Sequence, residues 1–309
     1  MKKQIKVILA SPRGFCAGVE RAIEIVERAI EIYGPPVYVR HEIVHNQVVV
    51  EDLKKKGAIF IEELDEVPDA SLVVFSAHGV SPTVEKEAKM RNLSIIDATC
   101  PLVTKVHSES KKFSKQGYTI LLVGHKNHPE IIGTFGEAPE QTIIIENKNE
   151  ALDVQVPDPS KVVILTQTTL SVSDTQEIAN ILVKKFPKVV LRNDICYATS
   201  NRQDAARALA KSCDIVLVIG AKNSSNCNRL KDVIESLGVP SQLLMNPKEL
   251  NTSELQNYQK IGIISGASTP ESLVTSVIDA IGYERITTHE IIREDITFSL
   301  PRGLQKSKL

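Results

Sequence analysis

Three of the five cysteines occupy equivalent stations along the chain, and that recurrence constrains the fold more than any other feature. Each follows a short strand-like run and opens a stretch of helical period: Pro12-Arg13-Gly14-Phe15-Cys16-Ala17-Gly18, Asp97-Ala98-Thr99-Cys100-Pro101-Leu102 and Asn193-Asp194-Ile195-Cys196-Tyr197-Ala198-Thr199. A polar loop comes 28 or 29 residues after each cysteine, beyond one helical and one strand-like segment. These loops are Glu42-Ile43-Val44-His45-Asn46, Gly124-His125-Lys126-Asn127-His128-Pro129-Glu130 and Lys222-Asn223-Ser224-Ser225-Asn226. A second polar loop closes each copy, at residues 76–81, 166–171 and 265–270. The same order of features, repeated with little identity between copies, marks one supersecondary unit used three times.

Apolar runs at residues 5–10, 37–40, 72–76, 94–97, 119–123, 162–166, 189–192, 214–219 and 261–265 alternate with helical stretches. Such runs, rich in Val, Ile and Leu, read as parallel strands covered by helices on both faces. Residues 17–33 show the helical half of the pattern, with Val19, Ala22, Ile23, Val26 and Ile30 expected on the buried face and Glu20, Glu24, Glu27, Arg28 and Glu31 outward. The expected class is α/β, as three similar α/β units at residues 11–99, 100–195 and 196–284. Residues 1–10 and 285–309 are expected to complete neighbouring sheets as a terminal strand and a tail. Ligands in open α/β sheets bind outside the carboxyl ends of the strands, so the loops of each unit should share one edge, and the three edges can face a common centre. Pro157-Asp158-Pro159 reads as a surface turn and Lys306-Ser307-Lys308-Leu309 as a solvated tail.

Lys+Arg 37 against Asp+Glu 38 leaves a formal charge of -1, without the basic excess that nucleic acid or an anionic membrane surface demands. The apolar run at residues 5–10 is too short for a signal peptide or a membrane span, which places the protein in the cytoplasm. In a reducing compartment five cysteines without a CxxC pair are not a disulfide framework, so a selected role for them is metal binding or catalysis.

Three thiols brought together from three units suit zinc, copper(I) or an iron-sulfur cluster, with an open position because no fourth cysteine is evident. A helix amino terminus beside each one favours the thiolate. Cys213 and Cys227 have no counterparts in the other copies; Cys213 reads as core packing, while Cys227 lies beside Asn226, near the expected site. Around the thiols the loops would present His45, His78, His128, Ser224, Ser225, Asn226 and Ser268, a set rich in donors and poor in Lys and Arg. That set fits a diphosphate held by neutral donors, imidazolium and helix amino termini. His41, His107, His125 and His289 are expected to be ordinary surface or core histidines. No P-loop and no GxGxxG occurs. Glu130, beside His128, is the natural proton donor or acceptor among the loops, the other glutamates in or beside them being Glu42 and Glu271.

These motifs, with Tyr38-Val39-Arg40-His41, Phe75-Ser76-Ala77-His78-Gly79-Val80 and Thr166-Gln167-Thr168-Thr169-Leu170-Ser171 between them, resemble those of the bacterial 4-hydroxy-3-methylbut-2-enyl diphosphate reductases over nearly the whole chain. The resemblance implies a trefoil of three pseudo-threefold-related α/β/α units around a central 4Fe-4S cluster. Its ligands would be Cys16, Cys100 and Cys196, with one iron left open. It further implies reductive dehydration of the allylic diphosphate to isopentenyl and dimethylallyl diphosphate, the last step of the non-mevalonate isoprenoid route, with electrons from a donor such as ferredoxin or flavodoxin. His45, His78, His128, Ser224, Ser225, Asn226 and Ser268 would hold the diphosphate, and Glu130 would protonate the leaving hydroxyl with Thr168 as a relay. Cys227 departs from that pattern, where Ser or another small polar residue is expected, and the carboxyl tail is unfamiliar. A three-cysteine zinc hydrolase would need no electrons, and a cluster-bearing sensor would need an effector domain for which the chain has no room.

Overall fold

Among the described residues every strand pairing is parallel, so no two neighbouring strands there are joined by a tight hairpin and the chain must cross over a sheet face between them. The structure, a computed structural model, describes residues 5–305. Residues 1–4 and the basic end at 306–309, read above as a solvated tail, lie outside the described residues.

The strands are, in chain order, β1 (Lys6–Ser11), β2 (Val37–Arg40), β3 (Ala58–Ile61), β4 (Leu72–Phe75), β5 (Ser94–Asp97), β6 (Thr119–Val123), β7 (Thr142–Ile145), β8 (Val162–Thr166), β9 (Val190–Leu191), β10 (Ile215–Ile219), β11 (Ser241–Leu244), β12 (Lys260–Ser265) and β13 (Arg285–Glu290). They form one five-stranded sheet in the order β11-β10-β12-β1-β13 and two four-stranded sheets, β3-β2-β4-β5 and β7-β6-β8-β9. The α/β class is as expected. Three strands were not anticipated, β3, β7 and β11, and all three lie at sheet edges, while β13, also at an edge, falls in the stretch 285–309 that was expected to complete a sheet. An edge strand is covered less completely, and β13 is exposed along its whole length, so its sequence carries no apolar run to betray it.

The chain packs into two compact units. One gathers residues 5–17, His45–Gln47 and Cys196–Ile296, and contains the five-stranded sheet. Its β10 is buried at every position because both faces are covered. Ile215, Leu217 and Ile219 meet the helix Glu271–Ile281 through Val274, Val277 and Ile278, while Val216 and Val218 meet Leu209, Leu230 and Ile234 of the helices Tyr197–Ala210 and Ser225–Ser236. Each such side chain contributes about 1.5–3 kcal/mol on burial.

The other unit holds Gly18–Val44, Val48–Ile195 and residues 297–305, with both four-stranded sheets. The alternation recurs there: Ile120, Leu122, Val163 and Leu165 face Val106 and Phe113 of the helix Pro101–Lys115, while Leu121 and Ile164 face Ile178 and Leu182 of the helix Val172–Lys185. The helix Ala17–Tyr33 forms as expected, but its buried stripe runs through Ala22, Ile25, Val26 and Ala29. Val19, Ile23 and Ile30, expected inside, lie half-buried on its flanks. Steps of three and four from Ala22 reach Ile25, Val26 and Ala29, a set that the period alone cannot prefer over its neighbour one residue on. Pro157-Asp158-Pro159 is an exposed turn whose Asp158 carboxylate accepts the Ser160 N–H at 2.9 Å.

Because all strands in a sheet run the same way, their carboxyl ends share one edge, and the motif loops follow from those ends. In the five-stranded sheet these are the loops after β1 (Cys16), β10 (Ser224 to Asn226) and β12 (Ser268). In the next sheet they follow β2 (His45), β4 (His78) and β5 (Cys100), and in the last β6 (His128, Glu130), β8 (Thr168) and β9 (Cys196). Each edge thus carries one cysteine and two polar loops. The cysteine leaves from one sheet before the chain enters the next, so each sequence repeat is offset by one strand from a sheet.

Cys213 is buried in the core beneath Gly262, and burial pushes its thiol up to about 11. Cys227 is completely buried between Gly220 and Gly266, in the core cluster under β10, and burial raises its thiol too. A methyl group on Gly266 would sit 2.2 Å from the Cys227 sulfur. Gly266→Ala is therefore expected to cost about 1–3 kcal/mol of stability in urea unfolding, as overpacked core substitutions do. Cys227→Ala in the same chain should recover most of that loss, and failure to recover would mean that the two do not compete for the same space.

Candidate functional site

The loop before Cys16 turns through Gly14, whose φ of +71° suits a residue without a Cβ. Its N–H donates to Ser265 Oγ at 2.8 Å, and the Cys16 N–H donates to the Ala267 carbonyl at 3.2 Å, tying this loop to the one after β12. Cys16 stands immediately before the helix Ala17–Tyr33, whose first N–H, that of Ala17, donates to the Tyr197 hydroxyl at 3.3 Å. Cys196 caps the helix Tyr197–Ala210, its sulfur accepting the Thr199 N–H at 3.4 Å. Cys100 holds the same cap position before Pro101, and its N–H donates to the Ala77 carbonyl at 3.0 Å. All three are partly exposed, whereas Cys213 and Cys227 are buried.

A sulfur at a helix amino terminus faces unshared N–H groups and the positive end of the helix dipole, which stabilise the thiolate. Three soft thiolate donors in that setting fit an iron-sulfur cluster. Among the described residues no three His, Cys, Asp or Glu side chains are gathered to grip a single ion. What favours a thiolate-held group is the setting of each cysteine by itself.

In the unit with the five-stranded sheet, Ser224 caps the helix Ser225–Ser236 by accepting the Cys227 N–H at 3.4 Å. Asn226 is buried, yet neither its amide nitrogen nor its amide oxygen has a hydrogen-bond partner. Buried amides are seldom left so, and this one has both donor and acceptor capacity to offer. Ser268 donates to the His45 carbonyl at 3.0 Å and so fastens the His45 loop.

In the other unit Glu130 lies on the first turn of the helix Pro129–Gly136 and is 2% exposed. Its carboxylate accepts the Thr168 N–H at 2.6 Å and the Thr168 hydroxyl at 2.9 Å. Burial pushes its pKa up to about 7. The two Thr168 bonds and the nearby His107 oppose that rise, and Asp194 adds to it. His128 caps the same helix, its Nδ1 accepting the Glu130 N–H at 3.2 Å. That bond leaves Nδ1 without a proton, so the neutral ring carries its proton on Nε2, where it can donate. The ring of His78 meets His128 edge-on at 5.7 Å, and its Nδ1 lies 3.2 Å from Ser76 Oγ.

Two groups that act on Glu130 were not singled out from the sequence. His107 was expected to be an ordinary histidine and is a buried one, its Nδ1 2.8 Å from a Glu137 carboxylate oxygen and its ring against Gly79 and Gly133. The signal was its place seven residues, two helical turns, after Cys100. Asp194 is buried with one oxygen near Lys105 Nζ at 3.2 Å and the other accepting the Thr166 N–H at 3.4 Å. Glu271, noted among the loops, is exposed and pairs with Arg13 at 2.6 Å.

A model of the LytB protein family matches residues 7–282. The chain belongs to the LytB family. It is 50% identical to "4-hydroxy-3-methylbut-2-enyl diphosphate reductase 2" of Burkholderia mallei, over 98% of this chain and 94% of that protein. It is 49% identical to the 4-hydroxy-3-methylbut-2-enyl diphosphate reductase of Pseudomonas entomophila, over 99% and 100%. The LytB fold seen here is similar to the solved E-1-hydroxy-2-methyl-but-2-enyl-4-diphosphate reductase of Plasmodium falciparum, with TM-score 0.94, 41% identity and coverage of 98% and 97%. A second solved structure, described as the terminal enzyme of the non-mevalonate pathway, aligns with TM-score 0.64 and 33% identity over 90% of this chain and 99% of that one.

Glu130 yields a prediction that needs no substrate. Its folded pKa lies above the ordinary 4.5, so between about 4.5 and about 7 the folded protein holds a proton that the unfolded chain has released. Stability must then fall as pH rises through that window, by on the order of 1–3 kcal/mol. Urea unfolding at pH 5 and pH 8 should show this decline in the native chain and a much smaller one in Glu130→Gln. Equal declines in the two would show that Glu130 does not titrate there.

Proposed function

We propose that this LytB-family enzyme carries out the reductive dehydration of 4-hydroxy-3-methylbut-2-enyl diphosphate to isopentenyl and dimethylallyl diphosphate, the final step of the non-mevalonate route. Near-complete coverage of reductases at about half identity supports the reaction. The single structural observation that carries the mechanism is Glu130, a buried carboxyl brought close to neutrality and bonded twice to Thr168.

The reaction takes up two electrons and two protons. One C–O bond breaks, the oxygen leaves as water, and a carbon of the allyl unit gains hydrogen. Cys16, Cys100 and Cys196 would hold a 4Fe-4S cluster with one open iron, which when bound supplies the electrons and a coordination position for the substrate. An electron donor of the ferredoxin or flavodoxin type would feed it. We read residues 11–99, 100–195 and 196–284 as the repeating units, each bringing one cysteine.

The chain's own residues handle binding and protons. Hydroxide is a poor leaving group, so an acid must protonate it as the bond breaks. Glu130 suits that task because its pKa of about 7 leaves it partly protonated at neutral pH. Thr168, whose hydroxyl donates to Glu130, can pass that proton on once its O–H turns to the leaving oxygen, giving up its own proton there as it accepts the one from Glu130. His128, fixed with its proton on Nε2, faces the ligand as a donor. His45, His78, Ser224, Ser225, Asn226 and Ser268 supply the remaining contacts to the diphosphate, and the unpartnered amide of Asn226 is the strongest local support for their assignment. No helix among the described residues is long and apolar enough to cross a membrane, and we place the enzyme in the cytoplasm, whose reducing conditions suit free thiolates.

Anaerobic protein, assayed for iron, acid-labile sulfide and turnover of the allylic diphosphate with a strong reductant, tests this reading. Cys16→Ser, Cys100→Ser or Cys196→Ser should each lose the cluster and the activity, whereas Cys213→Ser and Cys227→Ser should keep both; full iron and sulfide in any of the first three would remove that residue from the ligand set. Glu130→Gln should keep its cluster and bind substrate yet lose at least roughly a hundredfold in turnover, while His45→Asn and His78→Asn should act mainly on KM. Near-normal turnover by Glu130→Gln would move the acid elsewhere.

A further inference from the structure

We infer that Glu294 is a positioning residue for Cys16, acting through the buried guanidinium of Arg202. The inference rests on the cluster reading above. Arg202 lies in the helix that Cys196 caps, and its side chain is wholly buried. Its Nη2 donates to the Gly14 carbonyl at 2.9 Å and the Phe15 carbonyl at 3.4 Å, the two peptides that precede Cys16. Its Nη1 donates to the Ala198 carbonyl at 3.0 Å, in the first turn after Cys196, and to both carboxylate oxygens of Glu294 at 3.0 and 3.2 Å. Asn201 Nδ2 adds a bond to Glu294 at 3.0 Å. One planar cation therefore joins the approach to the first cysteine to the first turn after the third, and the carboxylate beyond β13 neutralises it.

A core does not need such a group for stability. Buried ion pairs often do no better than well-packed apolar side chains, whereas a buried guanidinium stripped of its partner is strongly destabilised. What the pair adds here is direction. With the Gly14 and Phe15 carbonyls turned toward Arg202, the Gly14 N–H goes to Ser265 and the Cys16 N–H to Ala267, so the backbone bearing the Cys16 sulfur is gripped from both sides. Removing the Glu294 charge forces Arg202 to seek water and releases its two carbonyls. The Cys16 sulfur then loses its fixed approach to the cluster, while the sheet beneath stays intact.

The test uses anaerobically purified holoprotein with Glu294→Ala, Glu294→Gln and, as a control on the same stretch, Glu290→Ala, whose side chain is exposed. Four quantities are read: iron and sulfide content, the rate of iron loss to a chelator, the low-temperature EPR spectrum of the reduced cluster, and thermal unfolding of the apoprotein. Glu294→Ala should release iron roughly tenfold to a hundredfold faster, as loss of an outer-shell partner does, and show an altered EPR spectrum. Glu294→Gln, which keeps an acceptor but no charge, should fall between, and Glu290→Ala should match the native protein. If Glu294→Ala does not fold, Glu294→Gln carries the test with the same readouts. Native iron-release rates and an unchanged spectrum in the Glu294 variants would overturn the inference, as would faster release that follows a lower apoprotein Tm with the spectrum unchanged. Native protein that holds no iron and sulfide would overturn the cluster reading and this inference together, whereas a clustered native protein with indifferent Glu294 variants would overturn this one alone.

Discussion

Parallel pairing is the constraint on which the rest of this structure depends. A parallel strand needs a crossover to reach its neighbour, and the crossovers cover both faces of the sheet, which is why the central strands are buried end to end. The same constraint aligns the strand ends. Every polar loop that follows a strand in one sheet emerges at one edge, so a sequence that merely alternates strands with helices gathers its chemistry without any local signal directing it there.

The three cysteines occupy the handover from strand to helix, where backbone N–H groups lie unshared. Gly14, Pro101 and the Thr199 N–H show three local solutions to one problem, that of presenting a sulfur at a helix start. The other two cysteines lack that setting. Cys227 stands in a helix that opens at the candidate site, yet its thiol fills the space left by Gly220 and Gly266 and so belongs to the core.

Glu130 shows how burial and hydrogen bonding are set against each other. Desolvation raises the carboxyl's pKa and the bonds from Thr168 oppose that rise, so that it sits near the pH at which an acid is most useful. His107 and Asp194 push in opposite directions from either side. The environment of one carboxyl is thus distributed over the loops after β6 and β8, the helix that follows Cys100 and the residues that lead to Cys196.

Much of this was legible in the chain itself. Periodicity revealed the central strands because burial on both faces demands an unbroken apolar run, and the recurring cysteine stations revealed the repeat. The motif residues His45, His78, His128, Glu130 and Thr168 stood out because polar residues directly after such runs have few structural reasons to be there. The edge strands β3, β7 and β11 escaped although β5 and β9, also at edges, did not, and the buried stripe of the first long helix was displaced, since flanking Val19, Ile23 and Ile30 satisfy the same period. Only tertiary structure could decide that Arg202 reaches Gly14 and Glu294, that Asn226 is left without a partner, and that His107 and Asp194 act on Glu130. Those relations join residues up to 188 positions apart in sequence, and a pKa or an orphaned amide is set by what surrounds a group in space, which a linear pattern does not encode.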